Sequence, residues 1–206
     1  MVPRLLLITE PCEDLLDRVE QAVAGGVGHV LLRAKGEAAQ SLTATALALK
    51  TLLQPTGGQL LIHDRVDVAL AVEAQGVQLP SNGLPTPLAR RLLGGGRLLG
   101  RSCHTPQEAK QAFLDGADYV TLSPLFPTLS HPDAQGLGVE IFSQWRREIT
   151  GPVLALGGIH PQNCALALQA GAFGVAIIRG ILQADNPASA SREILDQIYA
   201  HMEQFS

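Results

Sequence analysis
Short apolar runs in this chain end repeatedly in residues that can do chemistry. His29–Leu32 runs into Arg33 and Lys35, Leu60–Ile62 into His63 and Asp64, and Leu98–Arg101 into Ser102, Cys103 and His104. Tyr119–Leu122 opens a stretch holding Ser123, Thr128, Ser130 and His131, and Gly174–Ile178 runs into Arg179 and Gly180. Arg33 and Arg179 carry planar forks that suit phosphate oxygens, while Lys35 supplies a point charge. Three cations at one cleft would draw an anion, because a low-dielectric mouth focuses their field. Asp64 is the one acid at a run end, and so the candidate partner of a metal or cation. An imidazole titrates near neutral pH, which makes His63, His104 and His131 candidates for moving a proton. Each candidate also has a plainer reading. A histidine after a strand can bond a backbone carbonyl, and a single loop cation is often only solvated.

The stretch from Val153 to Gly180 is more specific. Val153–Leu156 is an apolar run, Gly157-Gly158 ends it, and Pro161 opens a helix that stops at Gly171. Gly174–Ile178 is a second apolar run, followed by the Arg179-Gly180 turn. Without a Cβ, the Gly157-Gly158 backbone can approach a ligand closely. Two such units in succession match the phosphate site of a (β/α)8 barrel, where N–H groups of the last two loops hold the anion. The plainer reading is a βαβ unit whose glycines serve only its turns.

The elements that would position these residues follow from hydrophobic periodicity. Strands are expected at Leu5–Ile8, His29–Leu32, Leu60–Ile62, Val77–Leu79, Leu98–Arg101, Tyr119–Leu122, Val153–Leu156 and Gly174–Ile178. Helices are expected at Glu13–Ala24, Ser41–Leu53, Val66–Ala74, Thr86–Leu93, Thr105 to Gly116, Val139–Glu148, Pro161 to Gly171 and Pro187–Gln204. Thr105-Pro106-Gln107-Glu108 is a strong helix start, with a capping threonine and proline in the first turn. Ser123–Gly138 is a long loop. Strand and helix alternate at a spacing of about 25 residues, the pattern of a parallel sheet. The count of eight favours a closed barrel over a doubly wound open sheet. The expected fold is α/β, a single short (β/α)8 TIM barrel over residues 1–206, with the strand ends forming the site.

Bulk properties exclude other classes. Net charge is −4 and charged residues make up 17%, which gives no broad basic face for nucleic acid. The longest apolar runs, such as Leu5–Ile8, are too short to span a bilayer, and the start lacks a signal-peptide pattern. Cys12, Cys103 and Cys164 suggest neither a disulfide framework nor a zinc site, and they fit a reducing cytoplasm. Cys103 reads as a small buried residue, Trp145 as core packing and His160 as a helix cap.

The chain resembles the thiamin phosphate synthase/TenI family of short (β/α)8 barrels along nearly its whole length. The matching pieces are LLITE, GGVGHVLLRAKG, LLIHDRVDVALA, GVQLPS, GRSCHT, GADYVTLSPLFPT, PVLALGGI and GAFGVAII, in the family's order. The resemblance implies a thiazole phosphate ligand. Synthases join it to a pyrimidine diphosphate with Mg2+ and release diphosphate, whereas TenI proteins shift the thiazole to its aromatic tautomer. Arg33 and Lys35 match an RxK that binds the diphosphate, Asp64 a Mg2+ ligand, and Ser102 a serine on the diphosphate. Thr128 matches a threonine near the thiazole phosphate, and Gly157 and Gly158 match the phosphate turn.

Departures from the synthase pattern shape the expectation. His63 stands where a synthase has Asn, Gly83 at about its second Mg2+ aspartate, and His131 at about its diphosphate lysine. Losing a carboxylate and a lysine weakens leaving-group activation. RVDVAL, VQLPS and GRS-x-H look more like TenI, yet Pro124 stands where the TenI acid/base histidine falls. The loop motif also resembles synthase-like domains fused to Nudix hydrolases. The balance tips the expectation to a TenI-like tautomerase, with a synthase carrying a remodelled site as the alternative and a non-catalytic phosphate binder or regulator as the third reading. The catalytic candidates are His131, His104 and Ser102. The substrate- or phosphate-binding candidates are Arg33, Lys35, His63, Thr128, Ser130, Gly157, Gly158, Arg179 and Gly180. Asp64 is the candidate ligand of a weak Mg2+ site. The expected partner is a small phosphate substrate, not nucleic acid or membrane, in a cytoplasmic protein whose sequence leaves a homodimer open.

Overall fold
The computed structural model describes residues 1–128 and 135–204. Eight parallel strands close in sequence order into a barrel, the first pairing with the last. They are β1 (Leu5–Ile8), β2 (His29–Leu32), β3 (Gln59–His63), β4 (Gly76–Leu79), β5 (Leu98–Cys103), β6 (Tyr119–Leu122), β7 (Val153–Leu156) and β8 (Gly174–Ile177). The helices are α1 (Leu15–Ala24), α2 (Ala39–Leu53), α3 (Val66–Ala71), α4 (Thr86–Leu93), α5 (Pro106–Leu114), α6 (Gly138–Glu148), α7 (Cys164–Gln169), α8 (Arg179–Leu182) and α9 (Pro187–Glu203). This is the expected (β/α)8 fold.

Strand alternation sorts the side chains into two cores. Leu6, Ile8, Leu31, Leu61, Tyr119, Leu154 and Ala176 pack inside the barrel. Leu5, Leu7, Val30, Leu32, Leu60 and Ile62 point the other way and meet the helices. The next inward positions along the strands are Arg33, His63, Gln78, Ser102 and Thr121, so the fold delivers polar groups to the mouth one pleat above the apolar floor.

Two helix starts are capped by side chains. Thr105 Oγ1 accepts from Glu108 N at 3.2 Å, and Asn186 Oδ1 accepts from Ser189 N at 2.9 Å. Trp145 is partly buried against the outer core, as expected. Several boundaries differ from the sequence reading. Helix α7 begins at Cys164 rather than Pro161, with turns between. Helix α3 ends at Ala71, and Glu73 follows with φ +54°. Arg179-Gly180 is not a plain turn but the first half of the short helix α8, inserted before α9.

Candidate active site
A cavity of about 740 Å³ opens at the C-terminal ends of the strands. Arg33, Lys35, His63, Ser102, His104, Thr128, Gly157, Gly158, Arg179 and Gly180 all line it. Ile8, Leu31, Leu156 and Ala176 give it an apolar floor that suits a heterocycle. Asp64 is exposed and stands outside the lining. Ser130 and His131 lie outside the described residues.

The cradle after β7 and β8 is built by close packing. Gly157 and Gly158 have φ +106° and +63°, conformations that side chains resist. Leu125 N donates to Leu156 O at 2.8 Å and Phe126 N to Gly157 O at 3.1 Å, which lays the loop after β6 along this turn. A Cβ on Gly157 would stand 2.8 Å from Pro124 Cα, and one on Gly158 would stand 2.5 Å from Pro127 O. Asn163 Nδ2 donates to Gly158 O at 2.9 Å from the far side. A Cβ on Gly180 would collide with Ile159 O, so α8 begins directly against the β7 turn. Among the described residues no backbone carbonyl accepts from the N–H of Gly158, Arg179 or Gly180. The two glycine turns therefore form one surface with backbone donors to spare, as an anion site needs.

Electrostatics distinguish the cations. Burial lowers the Arg33 pKa from its usual value, Glu10 opposes the shift and Arg179 adds to it. Glu10 Oε1 accepts from Arg179 Nε at 3.1 Å and from Gln183 Nε2 at 2.7 Å, so Arg179 arrives at the cavity already paired. Arg33 is anchored through its backbone, whose N–H donates to the buried Thr9 Oγ1 at 2.9 Å. Burial, with Arg33 as the next cause, pushes the His63 pKa down to about 4. His63 is therefore a neutral imidazole at neutral pH and a poor base there. His104 Nδ1 lies 2.9 Å from Ser123 O, so that nitrogen carries the hydrogen and donates. Burial raises the Cys103 thiol to about 12, in keeping with a structural role.

Asp64 is the one carboxylate that the sequence offered for the expected Mg2+. Gly83 stands beside Asp64, since a Cβ on it would lie 2.7 Å from Asp64 Oδ1. The position that would carry a second acid is thus adjacent and empty of one. Among the described residues no group of three or more His, Cys, Asp or Glu could hold a metal. This donor set fits an ion that brings its remaining oxygens from a bound diphosphate and water.

The sequence reading missed three residues of this site. Gln78 and Thr121 are buried polar residues that line the cavity, and Glu10 neutralises Arg179. Gln78 in GVQL and Thr121 in YVTL each interrupt an apolar strand at an inward position, which was the available signal. Glu10 gave none, because its partner lies 169 residues away.

The fold and the mouth define a (β/α)8 barrel whose last two turns offer backbone N–H groups to the cavity. The family model for thiamine monophosphate synthase (TMP-TENI) matches residues 5–181. A putative thiamine-phosphate synthase of Geobacter sulfurreducens is 45% identical over 88% of this chain and 86% of its own length. A thiamine-phosphate synthase of Synechococcus sp. (strain CC9605) is 41% identical over 94% of this chain but only 55% of its own, so the chain spans about half of that relative. The solved thiamine phosphate pyrophosphorylase of Pyrococcus furiosus superposes with a TM-score of 0.87 at 29% identity, covering 97% of this chain and 96% of that one. This chain belongs to the thiamine monophosphate synthase family. Among the described residues no helix is long and apolar enough to cross a membrane.

Proposed function
We propose that this chain is a thiamin phosphate synthase: it joins a thiazole phosphate to a pyrimidine diphosphate and releases diphosphate. The observation that carries this reading is the placement of two sets of residues suited to anions, on different strands, around one mouth. Arg33 and Lys35 follow β2, and the glycine cradle follows β7 and β8. A tautomerase acting on one phosphorylated thiazole needs only the cradle. Two phosphorylated substrates need both. The names of the relatives support the same choice and reverse the order of the sequence expectation.

In this reading the cradle of Gly158 and Gly180 fixes the thiazole phosphate through backbone N–H groups. The apolar floor receives the rings and keeps water from the reacting atoms. Arg33 and Lys35 hold the diphosphate, and Ser102 donates its hydroxyl hydrogen to a diphosphate oxygen. As the bond between the pyrimidine methylene carbon and the diphosphate oxygen breaks, these donors stabilise the charge that grows on the leaving group. A Mg2+ held by Asp64 would supply further charge neutralisation on that group when bound. His131, in place of a lysine, is proposed as another diphosphate contact.

His63 has little basicity at neutral pH, which does not suit the proton shuttle of a tautomerase. His104 Nδ1 donates to Ser123 O, which leaves Nε2 as its accepting nitrogen. The test offers both thiazole phosphate tautomers, with and without the pyrimidine diphosphate and Mg2+. Thiamin phosphate with stoichiometric, Mg2+-dependent diphosphate is the expected result. Interconversion of tautomers without the pyrimidine substrate would overturn it in favour of the tautomerase, and binding without turnover in favour of the regulator.

A further inference from the structure
Three strand residues meet beneath the mouth in a closed triangle. Gln78 Nε2 on β4 donates to Ser102 Oγ on β5 at 3.1 Å and to Thr121 Oγ1 on β6 at 3.3 Å. Thr121 Oγ1 and Ser102 Oγ lie 3.4 Å apart and share one hydrogen. Gln78 and Thr121 are 2% and 0% exposed, and Ser102 is half-buried at the cavity wall.

The triangle has a direction. An amide nitrogen only donates, so both hydroxyl oxygens it meets must accept. The two hydroxyls share one hydrogen across their 3.4 Å gap, and either can supply it. The pair is then left with one hydroxyl hydrogen that has no acceptor among the described residues, and Ser102 and Thr121 both line the cavity. The other half of the amide is held away from the hydroxyls. Gln78 Oε1 occupies the space over Gly100 that a Cβ there would fill, beside the Tyr119 ring. Among the described residues, both Gln78 Oε1 and Tyr119 Oη lack a hydrogen-bond partner.

We propose that Gln78 is a positioning residue that holds Ser102 and Thr121 so that the pair gives its remaining hydroxyl hydrogen, from Ser102, to an anionic oxygen in the cavity. The identification of that oxygen with diphosphate rests on the proposed synthase activity; the donation from the pair does not. A serine that could rotate freely would offer water or substrate a lone pair as readily as a hydrogen. With the amide on one lone pair and the Thr121 hydroxyl beside the other, its hydrogen is turned to an acceptor in the cavity, and a phosphate or diphosphate oxygen is a strong one.

The test is a double-mutant cycle read by calorimetric binding of inorganic diphosphate to the full chain. Gln78→Met removes the donor without adding charge, and Thr121→Val removes the second hydroxyl should Gln78→Met fail to fold. Each is expected to weaken diphosphate binding about tenfold when Ser102 is present and less than twofold in a Ser102→Ala background. Equal losses in both backgrounds, unchanged affinity in both variants, or no diphosphate binding by the unmodified protein would overturn the proposal. Gln78→Glu adds a check on direction. A carboxylate would accept from Ser102 and turn its hydrogen inward, so affinity should fall further with Ser102 present than in the Ser102→Ala protein. A product assay on the unmodified protein separates the two claims. Coupled losses without thiamin phosphate formation would sink the synthase reading and leave the Gln78 role standing, and product with uncoupled losses would do the reverse.

Discussion
A Cβ built on Gly83 would stand 2.7 Å from Asp64 Oδ1. The loops after β3 and β4 thus place a lone carboxylate beside a residue that has no side chain. Mg2+ prefers near-octahedral oxygen and keeps its waters when few ligands are offered. Calorimetry should find weak Mg2+ binding to the free protein and markedly stronger binding once diphosphate is present. Gly83→Asp should tighten Mg2+ severalfold, after the turn at Pro80 adjusts to the new Cβ. Tight binding by the unmodified free protein would mean that further ligands exist.

The phosphate cradle makes a steric prediction. Gly158 has φ +63°, and any Cβ on it meets Pro127 O and the Phe126 side chain. Gly158→Val should weaken thiazole phosphate binding by about 2 kcal/mol or more, by moving both the backbone donors and the loop that covers them. A folded variant with unchanged affinity would remove the site.

Glu10 should act as a brake on anion binding. Its carboxylate pairs with Arg179 and also faces Arg33. Glu10→Gln keeps an oxygen for Arg179 and removes the negative charge. Inorganic phosphate should then bind more tightly by roughly 0.5–1 kcal/mol, the scale of a partly exposed ion pair. Weaker binding would show that Glu10 serves mainly to aim Arg179.

His63 should leave a mark on acid stability. Its folded-state pKa is about 4, below the usual histidine value of 6.5. Between those values the unfolded chain holds a proton that the folded chain does not, so stability is full above about pH 6.5 and falls as the pH drops toward 4. Denaturant titrations at pH 7 and pH 5 should show the unmodified protein losing more stability than His63→Gln. Equal losses would mean that His63 is solvated.

His131 separates two roles by kinetics. As a diphosphate contact, His131→Asn should mainly raise KM, and His131→Lys should restore or improve turnover. A fall in kcat of roughly a hundredfold with affinity intact would instead mark a proton shuttle.

The sequence alone determined the architecture. Eight apolar runs alternating with helix-forming stretches specify parallel strands whose ends share one face, because a buried strand must be apolar and its side chains alternate. That rule also placed Arg33, His63, Ser102 and Gly157-Gly158 at the mouth, where the structure has them. Relations across the barrel were not legible. Gln78 meets Ser102 and Thr121 only when β4, β5 and β6 are in register, and Glu10 meets Arg179 only because β1 closes against β8. The sequence showed where the charges lie along the chain. Tertiary structure decided which were paired, which were desolvated and which hydrogens were left to donate, because each depends on neighbours that strand order and register supply.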